Sequence, residues 1–387
     1  MNRLTCNFRL PSSLSRAALL CALALLAIGL FAIPPAVSAQ DQAAQIAEMR
    51  AEASQLGAKA RELKKQIKQL EVKAKEKSDG IKALKDEIRT LQGQEKEITT
   101  RSRNLSGGAF VIEKMPEIKA VTAKMKAVKP IKPRKVLIYS RTTGFRHGSI
   151  PMGVAVFEEL GKATGAYSSE STEDPSVFTP EKLAEFDAIF MVNTTGKPVP
   201  DGAAQDAFEA WLATGKGLVG IHAATDCHSD WVGYRNAMGG IFNGHPWRSS
   251  DLVTLYNEHP KHPVCSCVPQ GFQVKDEIYQ YKEDEYFTRD KLRILLSLDL
   301  EGENMMKDGM KRSDDDYPVS WIRSLKGARV FYSNLGHNEA TYINEVVLQH
   351  FLNGIQFALG DLEADSRPSA AVGKGKPKAA PAPADAK

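Results

Sequence analysis

Cysteine is scarce in this chain, with five in 387 residues, two of which, Cys6 and Cys21, fall near the amino terminus. The other three, Cys227, Cys265 and Cys267, cannot all pair with one another. Cys265 and Cys267, two apart, would bridge poorly in an extended segment, so no disulfide-built scaffold is expected. There is no HExxH or CxxC spacing of the kind that marks common zinc sites. No GxGxxG or GxxxxGK[ST] loop follows the first predicted strand, so no nucleotide is expected. A concentrated basic face is missing as well. The formal net charge is only +4, and the lysines of residues 59–85 are interleaved with Glu62, Glu71 and Glu76, which argues against a nucleic-acid partner.

Acidic residues are absent from the first 39 positions, which instead hold Arg3, Arg9 and Arg16 and an apolar run from Ala17 to Ile33. Pro34, Pro35 and the small-residue site Val37-Ser38-Ala39 follow. This order reads as a secretory signal peptide over 1–39, cut near Gln40. The exported product would be periplasmic or extracellular, with no stable membrane anchor. An uncleaved run of this length sits at the lower limit of a bilayer span and would leave the chain membrane-anchored. Removing three arginines and no acids takes the net charge from +4 to +1.

Residues 42–104 carry a seven-residue apolar register. Ile46, Ala53, Ala60, Ile67, Ala74, Ile81 and Ile88 occupy one position, and Met49, Leu56, Leu63, Leu70, Leu84, Leu91 and Ile98 the other. Only Lys77 and Glu95 interrupt it. A 3.5-residue period held this long predicts one continuous coiled-coil helix and a homodimer through it. A helical hairpin turning at Ser78-Asp79-Gly80 is the competing arrangement. Residues 105–133, with Gly107, Gly108, Pro116, Pro130 and Pro133, are expected to be a linker, and the Ala, Pro and Lys-rich stretch 364–387 a disordered tail.

Between them, residues 134–363 alternate apolar, β-rich runs with helical patterns. Strands are expected over 135–140, 187–193, 217–222, 293–298, 319–323 and 329–333, and helices over 152–164, 203–214 and 341–359. That alternation predicts an α/β fold of three layers around a mainly parallel sheet.

Ligands of open α/β sheets bind at the carboxyl ends of the strands, so polar residues there are placed for chemistry. Arg146 and His147 follow the first strand, Thr194 the second, His222 and Asp226 the third, and His337 and Asn338 the last. GGIFNGHPW adds His245 and Trp247 on a glycine-rich loop, and DEIYQY adds Asp276, Glu277 and Tyr279. His222, Asp226 and Glu277 are the candidate catalytic groups. His222, His245, Glu277 and His337 are the candidate ligands for zinc or another divalent ion. Arg146, His147, Thr194, Trp247, Tyr279 and Asn338 are the candidate substrate contacts, with Trp247 or Tyr279 stacking on a sugar face.

SRTTGFRH, GLVGIHAATD, GGIFNGHP, DEIYQY, the stretch Pro318 to Trp321 and GARVFYSNLGHN, in this order, resemble the ThuA-like (trehalose utilization) domain. The resemblance covers essentially all of residues 134–360. It implies a flavodoxin-like, class I glutamine amidotransferase-like fold in which His222 stands where those amidotransferases carry a nucleophilic cysteine. With Cys227 five residues further on, glutamine hydrolysis is not expected. The resemblance implies a carbohydrate partner: a glycoside or keto-sugar acted on by metal-assisted or His/Glu acid-base chemistry of hydrolase, lyase or isomerase type. A non-catalytic sugar or cell-envelope binding module displayed on a coiled-coil dimer is the alternative.

Overall fold

Short apolar runs bounded by polar turns become the strands of one sheet, β1 (Lys135–Tyr139), β2 (Ser168–Thr172), β3 (Ala188–Val192), β4 (Gly217–Ile221), β5 (Leu252–Asn257), β6 (Phe272–Lys275), β7 (Arg293–Leu298), β8 (Pro318–Leu325) and β9 (Ala328–Ser333). The computed structural model describes residues 39–76 and 81–372. The expected signal peptide therefore lies, but for Ala39, outside the described residues, as does the tail beyond 372. No helix among the described residues is long and apolar enough to cross a membrane.

The strand order is β2-β1-β3-β4-β9-β8-β7-β5-β6. From β2 to β9 every pairing is parallel, and from β9 to β6 every pairing is antiparallel. Following the directions across the sheet, only β8 and β5 run against the rest, so the sheet is mainly parallel as expected. The central strands are apolar throughout because both faces are covered. Alternate residues serve opposite layers: Val136, Ile138, Phe190, Val192, Val219 and Ile221 pack with α3 (Ile150–Thr164) and α8 (Glu345–Leu359). Leu137, Tyr139, Ile189, Met191 and Leu218 pack on the other face with α4 (Pro180–Ala184), α5 (Ala203–Ala213) and α6 (Val232–Met238). The last expected helix divides into α7 (Glu339–Tyr342) and α8. Asn344 separates them, its side chain accepting from the Val346 and Val347 amides as an N-cap, and Gly360 ends α8 at φ 78°.

Three expectations change at the domain's ends. The coiled-coil segment is two helices, α1 (Ala39–Glu76) and α2 (Ile81–Thr122), rather than one. Arg101 pairs with Glu52, the Ser102 hydroxyl donates to the Ala53 carbonyl, and Arg50 pairs with Glu113, so α2 returns antiparallel along α1. Ala53, Ala60 and Ile67 of the heptad register are buried. An intrachain partner satisfies the same apolar seam that a second copy would.

The expected linker is helical up to Thr122 despite Gly107, Gly108 and Pro116. Ala109, Val111, Ile118 and Val121 are buried, and that packing outweighs the helix propensity lost at the glycines and proline. Gly107 does something a larger residue could not: a Cβ there would sit 2.5 Å from the Pro151 side chain, so its absence lets α2 lie against α3. Beyond α2 the chain is strapped to α8, with Gln356 bonding both the amide and carbonyl of Val128. The expected tail, too, is held over its first part. Ser369 is buried, its amide donating to the Leu292 carbonyl and its hydroxyl accepting from the Ile294 amide. By compactness the described residues from Ile46 onward form one unit, so the hairpin from Ile46 belongs with the α/β domain.

Candidate functional site

The parallel strands β1, β3, β4 and β9 are neighbours, so the loops after them meet at one sheet edge. β4 ends by turning directly into a 3-10 turn, His222–Thr225. His222 takes φ 47°, a left-handed conformation that costs a non-glycine residue and is kept where the surroundings enforce it. Those surroundings are visible. The His222 carbonyl accepts from the Tyr332 hydroxyl at 2.6 Å, and its Nδ1 donates to the Asn334 carbonyl at 2.7 Å. With Nδ1–H so engaged, Nε2 is left with its lone pair facing the cluster, as backbone-oriented histidine ligands require.

Glu277 is the centre of that cluster. Its Oε1 lies 3.7 Å from His222 Nε2 and 3.3 Å from His337 Nδ1, while Oε2 lies 3.4 Å from His245 Nδ1. His222 Nε2 and His337 Nδ1 are themselves 3.3 Å apart. The His147 ring stands edge-on to both, with centroids 4.9 and 5.1 Å away. One ligand atom from each of His147, His222, Glu277 and His337 falls within 4.8 Å of the others, so the group can hold a metal ion. Burial alone would raise the Glu277 pKa, but the neighbouring His222 and His337 rings overcome it and hold the carboxylate well below its usual range. His337 is pushed the other way: burial lowers its pKa, and Glu277 more than offsets this to raise it. For His147, burial and then the neighbouring His222 and His337 push the pKa down to about 2. That ring is therefore neutral at ordinary pH. Its buried Nδ1 has no hydrogen-bond partner. Three imidazoles and an ionised carboxylate, one of the rings with an orphaned buried nitrogen, make a donor set that fits a divalent transition ion.

Of the four residues expected as metal ligands, His222, Glu277 and His337 fall in the group that could hold an ion and His245 does not. His147, assigned to substrate, is in the group, whereas His245 reaches only the outer oxygen of Glu277 and is half exposed at 50 %. Asp226 is half buried, and burial raises its pKa against the opposing charges of His222 and His245.

The expected substrate contacts are mostly structural. Arg146 is buried and held by Glu173 through both Nη atoms and by Asn104 of α2 at 2.8 Å, which ties the hairpin to the loop that carries His147. Thr194 is fully buried and accepts from the Cys227 thiol at 3.2 Å. Burial raises the Cys227 pKa far above its ordinary value, so the thiol is an inert core group. Trp247 is fully buried against Tyr317, its indole N–H donating to the Met305 carbonyl, and offers no face to a sugar. Tyr279 is buried beneath the cluster, its ring 4.4 Å from that of His222 and its hydroxyl 3.5 Å from His147 Nε2. Asn338 donates to the carbonyls of Ser249 and Lys275 and so fastens its own loop. The aromatic ring that does face outward is Phe145, 60 % exposed and 4.9 Å from His147.

Asp276 has a role that no spacing in the sequence announced. Fully buried, its carboxylate accepts from the amides of Gly336 at 2.7 Å and Asn338 at 2.9 Å, the two residues flanking His337, and from the Glu277 amide at 3.1 Å. It clamps two members of the cluster at once. The only sequence signal is its adjacency to Glu277 in DEIYQY.

An open, doubly covered α/β sheet whose strand-end loops converge on a three-histidine, one-carboxylate group defines a flavodoxin-like domain with a candidate metal centre at its carboxyl edge. Residues 135–358 match the ThuA family, described as trehalose utilisation, and the chain belongs to that family. It is similar to a ThuA-like protein from Bacteroides uniformis ATCC 8492 at 29 % identity, covering 60 % of this chain and 94 % of the other with a TM-score of 0.49. A second ThuA-like protein, from Parabacteroides merdae ATCC 43184, shares 18 % identity over 60 % of this chain and 93 % of its own, with a TM-score of 0.46. No curated protein matches the chain.

Proposed function

We propose that the chain is an exported, metal-dependent enzyme that acts on a carbohydrate, a glycoside or keto-sugar, by hydrolase, lyase or isomerase chemistry. The observation that carries the reading is the convergence of His147, His222, Glu277 and His337, with His222 already oriented by a backbone carbonyl. Family membership supports the carbohydrate, and the basic, apolar and small-residue order of the amino terminus supports export.

A bound divalent ion such as zinc supplies Lewis-acid polarisation of a carbonyl or activation of a water. His147, His222 and His337 would hold it. Glu277, ionised and facing both the histidines and His245, would take a proton from substrate or water on its inner oxygen. His245, half exposed on the outer oxygen, would pass that proton to solvent. Asp226, its pKa raised by burial and opposed by the charges of His222 and His245, is a second acid-base candidate beside the cluster. Phe145 replaces Trp247 and Tyr279 as the ring on which a sugar face can stack.

The test is turnover of a panel of glycosides and keto-disaccharides by the metal-loaded full chain. Glu277→Gln is expected to lose at least ~100-fold in kcat, the typical contribution of one general base. Turnover equal to that of the parent in both Glu277→Gln and His222→Ala would overturn the reading.

A further inference from the structure

A second feature lies at the other edge of the sheet. β7 runs with β9, so its first residue, Arg293, sits at the edge opposite His222. β5 runs against β7, so the loop after Asn257 arrives at that same edge. This loop, Arg293 and residues 363–365 line a cleft of about 840 Å³.

Arg293 is only 6 % exposed, yet its Nε and Nη1 are buried with no hydrogen-bond partner. Asp365 and Glu258, the carboxylates whose charges act on Arg293, make their hydrogen bonds elsewhere. Glu258 is held by Arg289 at 2.8 Å through both oxygens and by the Ser297 hydroxyl. Asp365 is held by Arg367, whose Nε donates to Oδ1 and Nη2 to Oδ2. Glu363 is 87 % exposed, 3.8 Å from Arg329. His262 has no donor to spare, since Nε2 donates to the Asp365 carbonyl and Nδ1 accepts from the Val264 amide. A buried cation with unmet N–H donors carries a desolvation cost that an anion in the cleft would recover. The lowering of the Arg293 pKa by burial expresses the same cost. Lys261, exposed on the cleft wall, adds a second positive charge.

We propose that this cleft is a binding site for a small molecule bearing an oxyanion, carboxylate or phosphate, recognised by Arg293 with Lys261 at the rim. The site is separate from the His/Glu cluster and does not depend on the metal reading.

The experiment titrates the full chain with sodium phosphate and, separately, sodium acetate, at constant ionic strength set with sodium chloride, and follows the melting temperature and the heat of binding. Saturable stabilisation by phosphate, by acetate or by both is expected, and which anion acts identifies the ligand's charged group. Arg293→Met should abolish the effect. Lys261→Glu, on the surface and outside the core, should weaken it about tenfold by reversing a rim charge. Glu277→Gln should respond as the parent does, which separates this site from anion binding at the cluster. The proposal is overturned if neither anion stabilises the parent beyond the chloride control, or if Lys261→Glu and Arg293→Met respond like the parent. Should Arg293→Met fail to fold, Lys261→Glu decides.

Discussion

Replacing Asp276 by asparagine keeps the shape of the side chain and removes its charge, which isolates what the carboxylate does. The native group accepts three amides, two on Oδ1 and one on Oδ2. An asparagine can keep the pair from Glu277 and Asn338 on its single oxygen, but then its NH2 faces the Gly336 N–H, donor against donor. One hydrogen bond to a charged acceptor is lost, and a fully buried amide is left unsatisfied. At roughly 1.5–3 kcal/mol for the bond and 1–3 kcal/mol for the orphaned donor, terms that overlap, the cost in stability is about 3 kcal/mol. Because the freed amide belongs to the residue before His337, and Asp276 precedes Glu277 in the chain, the ligand group should loosen as well. Loss of an outer-shell partner typically costs about 10–100-fold in metal affinity. Equilibrium unfolding in urea, without metal, measures the first quantity, and competition with a chelator for zinc the second. A variant within about 0.5 kcal/mol of the parent in unfolding, with unchanged zinc affinity, would refute the clamp.

Further outcomes follow from particular contacts. His147→Ala should lose at least ~10-fold in zinc affinity while His245→Ala stays within about threefold, because only His147 has a ligand atom in the group; chelator competition on both variants checks it. Trp247→Ala should destabilise by about 3–5 kcal/mol in urea, as a fully buried aromatic does, and a value below about 1 kcal/mol would place the ring outside the core. His350, whose pKa burial pushes down to about 4 from an ordinary value near 6.5, binds fewer protons folded than unfolded between those limits. Stability therefore falls as pH drops from 6.5 to 4, by about 3 kcal/mol from this group; His350→Gln should show a correspondingly shallower decline in unfolding free energy, and parallel curves would contradict the assignment.

The parallel half of the fold was legible because its strands are apolar on both faces and bounded by turns, so β1, β3, β4 and β9 stand out as continuous runs. The unread strands lie at or near the edges. β2 is the polar sequence SSEST, its residues at least partly exposed, and β5 and β6 alternate buried with open positions, so neither shows an apolar run. The helical hairpin was hidden for a different reason, since one heptad register serves an intrachain and an interchain seam equally well. At the site, the loops were visible as polar residues at strand ends, and His222, Glu277 and His337 do converge. Reach was not visible. Two loop histidines preceding the same carboxylate in sequence, His147 and His245, differ in whether their rings reach the group, and no spacing in the sequence sets that. Trp247 misled because an aromatic beside a loop histidine resembles a binding platform, whereas Tyr317 and the Met305 carbonyl enclose it.

The central claim, that the strand ends build a metal centre held by His147, His222 and His337 with Glu277 beside it as the base, is tested most directly by metal stoichiometry. Chelated and reloaded protein, measured by elemental analysis and by titration with zinc, should hold one ion per chain with affinity that collapses in His222→Ala and His337→Ala. Absence of stoichiometric binding by the folded parent, or equal binding by those variants, would contradict it.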